Sequence, residues 1–331
     1  MRIRLNGVIT EVAEGLTLEG LLRGLGLDGQ AVAVELNLDI ITRDRRAQSV
    51  LKENDEVEIV KFVGGGSQAQ GDPFELGGKT FGSRLLIGTG RYPSFDDMRR
   101  CHQASGSQIV TLAVGRHPLD LRGGSGQILD FIDREAITLL PNTAGAYTVK
   151  EARRLASLAR ELLGTDWIKL EVMGDATTLW PDVAETVQAC RELVRDGFKV
   201  FPYTTDDPIV ASKLEDEGAS AIMPLGSMIG SGLGLLNPLA LQRIKATAKV
   251  PVIVDAGVGC ASDAAQAMEL GADAVLLNSA VAGAQDPVAM AAAMGLAIRA
   301  GRLSFLAGRI PKRGYATPSS PGAGLAGGAK L

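Results

Sequence analysis

The sequence has little histidine, little cysteine and few aromatic residues. His102 and His117 are its two histidines, so a His-rich metal site is excluded and a Ser-His-Asp triad would have to take its base from one of them. Cys101, Cys190 and Cys260 lack C-x-x-C spacing, which removes a four-cysteine zinc site and a disulfide framework. Aromatic residues are 4% of the chain, too few for a base-stacking platform. With 34 basic against 38 acidic side chains there is no cationic footprint for nucleic acid. No uninterrupted apolar run reaches the ~18–20 residues that cross a bilayer. Met1 to Leu5 alternates charged and apolar residues, unlike a secretory signal. The expectation is a cytoplasmic protein of a reducing compartment, without nucleic-acid or membrane partners, metal or resident cofactor. Its working groups are then Lys, Asp, Glu and backbone amides.

What is present divides at one place. Ser67 to Pro73 is polar, contains Gly and Pro, lacks periodicity and follows Gly64-Gly65-Gly66, so it reads as a linker. Residues 1–66 carry 8 basic and 11 acidic side chains, most of the chain's net charge of −4. Within them, Asn6-Gly7 offers a type I′ hairpin turn, Thr17 caps a helix bearing Leu18, Leu21 and Leu22, and Ala31–Leu36 and Leu51–Val63 supply further strands. Hairpin, helix and two more strands ending in glycines make a ubiquitin-like β-grasp pattern. The closing glycines read on composition as a flexible tether.

From Ser83 the rhythm changes. Eight short runs rich in β-branched residues (Leu85–Thr89, Ile109–Val114, Ile137–Thr143, Ile168–Val172, Val200–Thr204, Ala221–Leu225, Val252–Asp255 and Ala274–Ser279) alternate with mostly helix-like segments that end near glycine. The helix between the second and third runs is the weakest, because Leu121–Gly126 is glycine-rich. Eight βα units in about 250 residues predict an α/β fold, a closed (β/α)8 TIM barrel. An open doubly wound sheet is the alternative, but no G-x-G-x-x-G follows the first strand. Phe74–Leu76 and Lys79–Phe81 flank Gly77-Gly78 as a hairpin expected at the barrel's bottom. The predicted division is a β-grasp domain over 1–66, a linker over 67–73, a barrel domain over 74–321 and a disordered end over 322–331.

The fourth run carries the chemistry. Ile168, Leu170 and Val172 fall on one side of the pleat, and Lys169 and Glu171 on the other. Outer helices cover the apolar side, so the lysine and glutamate point inward. One reading is an ion pair that fills space, with Glu171 or Asp255 as partner. The other is an amine whose pKa burial depresses, free to attack a carbonyl and form an imine. Asp255 closes the seventh run at the barrel mouth, as a helix cap, a partner for Lys169 or a proton shuttle. Glycines at 226, 230, 232 and 234, the stretch Ala256-Gly257-Val258-Gly259, and Asn278-Ser279 follow the sixth, seventh and eighth runs. Such loops admit phosphate oxygens to backbone amides, which suggests a phosphorylated carbonyl substrate.

The stretches SRLLIGTGRYPSF, LPNTAGAYT, WIKLEVMGD, PYTTDDP, IGSGLGLLNP, VPVIVDAGVG, AMELGADAVLLNSAVAGA and AGRIPKRGYATPSSP resemble, in order, the bacterial thiazole synthases of thiamine biosynthesis. Residues 1–66 resemble that pathway's ubiquitin-like sulfur carrier, which ends in Gly-Gly, so the chain looks like a fusion of carrier and synthase. The resemblance implies that 1-deoxy-D-xylulose 5-phosphate forms an imine with Lys169. Sulfur then arrives from a thiocarboxylate on the carrier tail at Gly65 and Gly66, and dehydroglycine completes a thiazole phosphate carboxylate. It assigns acid/base work to Glu171 and Asp255 and sugar-phosphate binding to Gly230, Ala256, Gly257, Asn278 and Ser279. It further implies a dehydroglycine-producing enzyme, an adenylating and sulfur-transferring enzyme acting on the tail, and a homotetramer. An imine-forming phosphosugar aldolase or lyase, or a non-catalytic carrier scaffold, are the alternatives.

Two positions depart from the family. Val114-Gly115-Arg116-His117 stands where an arginine pair is common, and Met228 where proline is expected. Because Gly66 is joined to Ser67, a thiocarboxylate requires cleavage after Gly65 or Gly66, or else another sulfur donor. The basic segment Ala307–Pro321, with Arg309, Lys312 and Arg313, reads either as a lid over the mouth or as a tail on the surface.

Overall fold

A computed structural model describes residues 1–27, 32–37, 39–42, 45–61, 72–115 and 128–317. The chain forms two compact units, Met1–Asp72 and Pro73–Leu331. The expected tail Gly64–Gly66, the segment Ser67–Gly71, the glycine-rich stretch Leu121–Gly126 and the end 322–331 lie outside the described residues.

In the first unit, β1 (Arg2–Leu5) and β2 (Val8–Glu11) form a hairpin. Asn6 and Gly7 take φ of 46° and 78°, the two positive values that a type I′ turn requires. Helix α1 (Leu18–Gly24) starts where the Thr17 hydroxyl accepts the Gly20 N–H at 3.1 Å. β3 (Val32–Leu36), β4 (Asp39–Ile40) and β5 (Glu56–Lys61) complete a sheet of order β2-β1-β5-β3-β4. β1 and β5 pair in parallel at its centre. Ile3, Leu18, Leu21, Leu22, Val34, Leu51 and Val57 close a separate small core. This is the expected ubiquitin-like arrangement.

The second unit opens with hairpin β6 (Phe74–Leu76) and β7 (Lys79–Phe81). Next come β8 (Leu85–Gly88), α2 (Phe95–Ser105), β9 (Ile109–Ala113), β10 (Thr138–Asn142), α3 (Val149–Leu163), β11 (Trp167–Leu170), α4 (Val183–Arg195) and β12 (Lys199–Thr204). They are followed by α5 (Pro208–Asp216), β13 (Met223–Pro224), α6 (Pro238–Thr247), β14 (Ile253–Asp255), α7 (Ala261–Glu269), β15 (Ala274–Leu277), α8 (Ser279–Ala282) and α9 (Pro287–Ala307). The eight strands β8 to β15 are parallel. Bridges from Ile222 to Val252 and from Leu225 to Asp255 join β13 to β14 and close the barrel. Between β9 and β10 the described residues hold only a short 3-10 turn, Ile128–Phe131, where the neighbouring units have α-helices.

Local chemistry sets the helix starts. Ser94, Thr148, Asp182, Asp207, Asn237 and Asp286 each accept a first-turn N–H of the helix that follows. Side chains then sort by the period of two. Leu86, Ile109, Leu140, Trp167, Phe201, Met223, Ile253 and Leu276 point inward at the bottom and pack with Phe74, Leu76 and Phe81 of the hairpin. The hairpin stoppers that end. At Gly77, with φ of 55°, a Cβ would lie 2.6 Å from Trp167 Cζ2, so the approach requires glycine. Ile168, Leu170 and Val172 face the helices.

Helix α9 has 21 residues and, by length and composition, could cross a membrane. Arg299 and Arg302 interrupt its apolar run. It packs on α2 and α7, burying Ala291, Met294, Ile298 and Gly301.

Candidate active site

The period of two that sends Trp167 into the barrel floor sends Lys169 and Glu171 into the space above it. Asp255, the last residue of β14, meets them there. The side chains are 6%, 6% and 4% exposed. Lys169 Nζ donates to Glu171 Oε1 at 2.6 Å and lies 2.8 Å from Asp255 Oδ2. Both contacts are ion pairs within hydrogen-bonding distance.

Of the two readings of the lysine, the contacts favour the ion pair over the neutral amine. Burial by itself would depress the amine's pKa, but Asp255 and then Glu171 outweigh it, and the net direction is upward. The resting lysine is therefore an ammonium. Burial raises the pKa of Asp255, the Lys169 charge opposes the rise, and Glu171 adds to it. The single cation stands between two carboxyl groups, and of these burial favours the neutral form of Asp255. The triad is thus a compact proton-exchange unit beside a potential nucleophile.

Backbone contacts hold this unit. The Thr143 hydroxyl donates to the Glu171 carbonyl at 2.7 Å and accepts the Glu171 N–H at 2.8 Å. Sequence reading missed Thr143, because a threonine at a strand end looks like any cap or turn residue. It also missed Tyr203, which is fully buried and whose ring centroid lies 5.3 Å from Lys169 Nζ. Its inward direction was legible from its spacing of two from Phe201.

The glycine loops also assemble at this end. Gly226 N donates to Ala256 O at 3.3 Å, and Gly234 N to Gly257 O at 2.8 Å. Ala256 holds a positive φ of 72°, rare for a residue with a Cβ. A Cβ on Gly257 would overlap Ser227 Oγ. Asn278 donates from Nδ2 to Gly90 O at 2.8 Å, while its buried Oδ1 has no partner. A cavity of about 250 Å³ lies between the loops, lined by Gly230 and Ser279 together with Ser231, Gly232, Val258 and Gly259. Gly232, Val258 and Gly259 belong to the glycine runs read from the sequence, and Ser231 extends them. Ala256, Gly257 and Asn278 shape the loops without lining this cavity.

Gly65, Gly66, Arg116 and His117 lie outside the described residues. Gly115 is packed against Leu155: a Cβ there would sit 3.1 Å from Leu155 Cδ2. Arg309, Lys312 and Arg313 are exposed. Among the described residues no cluster of three or more His, Cys, Asp or Glu has the geometry to hold a metal.

Comparison with known proteins places this architecture. A family model described as Thiazole biosynthesis protein ThiG matches residues 75–321, and one described as the ThiS family matches residues 3–66. A thiazole synthase from Paramagnetospirillum magneticum is 53% identical over 325 residues, 98% of this chain and 100% of that protein. One from Myxococcus xanthus is 58% identical over 257 residues, 77% of this chain and 98% of its own length. Among solved structures, a chain of the Amycolatopsis orientalis BexX/CysO complex is 35% identical, with a TM-score of 0.66 over 74% of this chain and 100% of that one. The chain therefore belongs to the thiazole synthase family, with a ThiS-family unit fused ahead of the synthase barrel.

Proposed function

We propose that the barrel condenses 1-deoxy-D-xylulose 5-phosphate, dehydroglycine and thiocarboxylate sulfur into thiazole phosphate carboxylate through an imine on Lys169. The observation that carries this reading is a buried lysine 2.6 Å and 2.8 Å from two carboxyl groups at the strand-end face of the barrel. The ammonium passes a proton to Glu171 or Asp255, and the freed Nζ attacks the ketone carbon. The proton returns to the former carbonyl oxygen, which leaves as water once a second proton joins it. The same carboxyl groups then move protons for tautomerisation. Amides of the loops around Gly230, Ala256, Gly257, Asn278 and Ser279 hold the phosphate.

Sulfur comes in this reading from a thiocarboxylate on the carrier tail, made by an adenylating and sulfur-transferring enzyme. It requires a free carboxyl terminus, hence cleavage after Gly65 or Gly66. Dehydroglycine comes from a separate enzyme, the assembly is a homotetramer, and the reaction runs in the cytoplasm.

Borohydride trapping tests the imine. Incubation with 1-deoxy-D-xylulose 5-phosphate and borohydride should leave a reduced adduct on Lys169, absent from Lys169→Ala. A wild-type enzyme that gives no adduct refutes the reading. Intact mass of the protein from its native host tests the cleavage: only full-length chain while thiazole is still made rules it out.

A further inference from the structure

The inner wall above the floor is not uniform. The strand positions two residues beyond the floor layer are polar on five strands: Thr111 on β9, Asn142 on β10, Lys169 on β11, Asp255 on β14 and Asn278 after β15. On β12 and β13 the equivalent positions are Tyr203 and Leu225. These two pack with Met173 into a separate apolar cluster, joined by the half-buried Leu179, Ile229 and Ala256. Tyr203 is fully buried, Met173 is 5% exposed and Leu225 is 7% exposed. The Tyr203 hydroxyl is turned away to the Leu179 carbonyl at 3.5 Å, so the ring face is what Lys169 meets, 5.3 Å from Nζ.

Lys169 Nζ therefore meets two unlike surfaces: the Glu171 and Asp255 carboxyl groups at 2.6 Å and 2.8 Å, and the face of the Tyr203 ring at 5.3 Å, which packs with Met173 and Leu225. We propose that the Met173–Tyr203–Leu225 wall receives the methyl substituent of a methyl ketone and thereby excludes the otherwise identical 1-hydroxy ketose phosphate. The inference rests on the imine reading above and deepens it by assigning a specificity-determining surface. A methyl group is buried there at no polar cost. A hydroxyl in the same place would lose its water without gaining a partner. Apolar pockets reject an added hydroxyl by roughly 10- to 100-fold, and that is the discrimination expected here.

The test compares trapping of two ketones on the full chain: 1-deoxy-D-xylulose 5-phosphate and D-xylulose 5-phosphate. In each, the Nζ–C bond forms and the carbonyl oxygen leaves as water. Borohydride then adds hydride to the imine carbon and solvent protonates the nitrogen. Wild type should form the adduct with the deoxy sugar roughly 10- to 100-fold more efficiently, taking rate over concentration. Leu225→Asn and Met173→Gln should narrow that ratio to within about threefold, mainly by raising trapping of the hydroxylated sugar. Equal trapping of both sugars by wild type overturns the wall assignment and leaves the imine reading intact. A wild-type preference that both variants keep also overturns it. Absence of any adduct in wild type is the separate failure of the imine reading. The wild-type comparison stands even if a variant does not fold.

Discussion

Thr143 and Glu171 exchange two hydrogen bonds: the threonine hydroxyl donates to the Glu171 carbonyl at 2.7 Å and accepts its N–H at 2.8 Å. Glu171 lies just beyond the last residue of β11, where the ladder no longer fixes it. The hydroxyl replaces the missing ladder partner and aims the carboxylate at Lys169. Thr143→Val keeps the shape and removes both bonds. We predict that it lowers kcat about tenfold, corresponding to ~1.4 kcal/mol, with little change in KM for the phosphosugar. Thr143→Ser should restore the rate, since only the hydroxyl is needed. Steady-state kinetics of the pair decides: equal losses in Val and Ser, or a loss confined to KM, would remove Thr143 from a positioning role.

Replacing Lys169 tests the electrostatics separately from the chemistry. Lys169→Met leaves Glu171 and Asp255 buried together without a cation, which costs about 3–5 kcal/mol when both are ionised. Burial already raises the pKa of Asp255 against the opposing Lys169 charge, so removing that charge raises it further above the unfolded value of about 4. The folded variant binds more protons than the unfolded one, so its stability is present at low pH and lost as pH rises. The expected result is a melting temperature well below wild type at pH 8 that recovers toward it at pH 5. A pH-independent gap would mean the carboxyl groups are not coupled through the lysine.

The barrel was legible because most βα units carry their own signals: a short β-branched run, a polar cap and a terminal glycine. Period two was enough to turn Lys169 and Glu171 inward. It left two readings of the lysine, an ion pair with Glu171 or Asp255 and a neutral amine, because the choice depends on how closely Asp255 arrives from β14, a distance with no local signature. Burial alone predicted a depressed amine, and two carboxyl groups reversed the sign. The sixth strand was expected over Ala221–Leu225 but pairs as a strand only at Met223–Pro224, with single bridges at Ile222 and Leu225. Pro224 has no N–H to extend the ladder. The apolar wall has no local signature: Met173, Tyr203 and Leu225 lie at three separate strand ends, and only closure of the sheet brings them together.

Thiol reactivity checks that sulfur chemistry is not run by the chain's own cysteines. Burial pushes the Cys101 thiol up to about 11, with Asp97 adding to the rise and Arg100 opposing it. Burial pushes Cys190 up to about 12, with Glu217 adding. Both stay protonated at pH 8 and are shielded. Cys260 is exposed, its Sγ 3.0 Å from Ser262 Oγ. A disulfide reagent at pH 8 should therefore label Cys260 rapidly in the native protein, and Cys101 and Cys190 only after denaturation. Cys260→Ser should remove native labelling and keep thiazole formation. Loss of activity in that variant would give the cysteine a role the proposed chemistry does not need.

His102 provides a pH signal remote from the lysine. It is buried in α2, and its Nε2 lies 3.1 Å from the Gly88 carbonyl. A carbonyl only accepts, so Nε2 carries the proton, and the buried Nδ1 is left with no partner. Protonating Nδ1 would place a charge where nothing receives its hydrogen. Burial accordingly lowers the pKa, and the bond to Gly88 offsets only part of this. Below the unfolded value of about 6.5 the unfolded chain binds a proton that the folded chain refuses. The stability contribution is thus complete above that pH and falls as pH descends toward the depressed folded value. His102→Gln keeps an N–H for Gly88 and cannot ionise. Between pH 7.5 and 5.5 the wild-type melting temperature should fall more steeply than that of the variant, at about 2–4 °C for each kcal/mol of difference. Parallel slopes would show that His102 takes up its proton equally in the folded and unfolded chain, which removes the depression. Because Gly88 and Gly90 lie on the strand end that Asn278 grips, a steeper loss of phosphosugar affinity in wild type over the same range would tie this titration to the substrate loops.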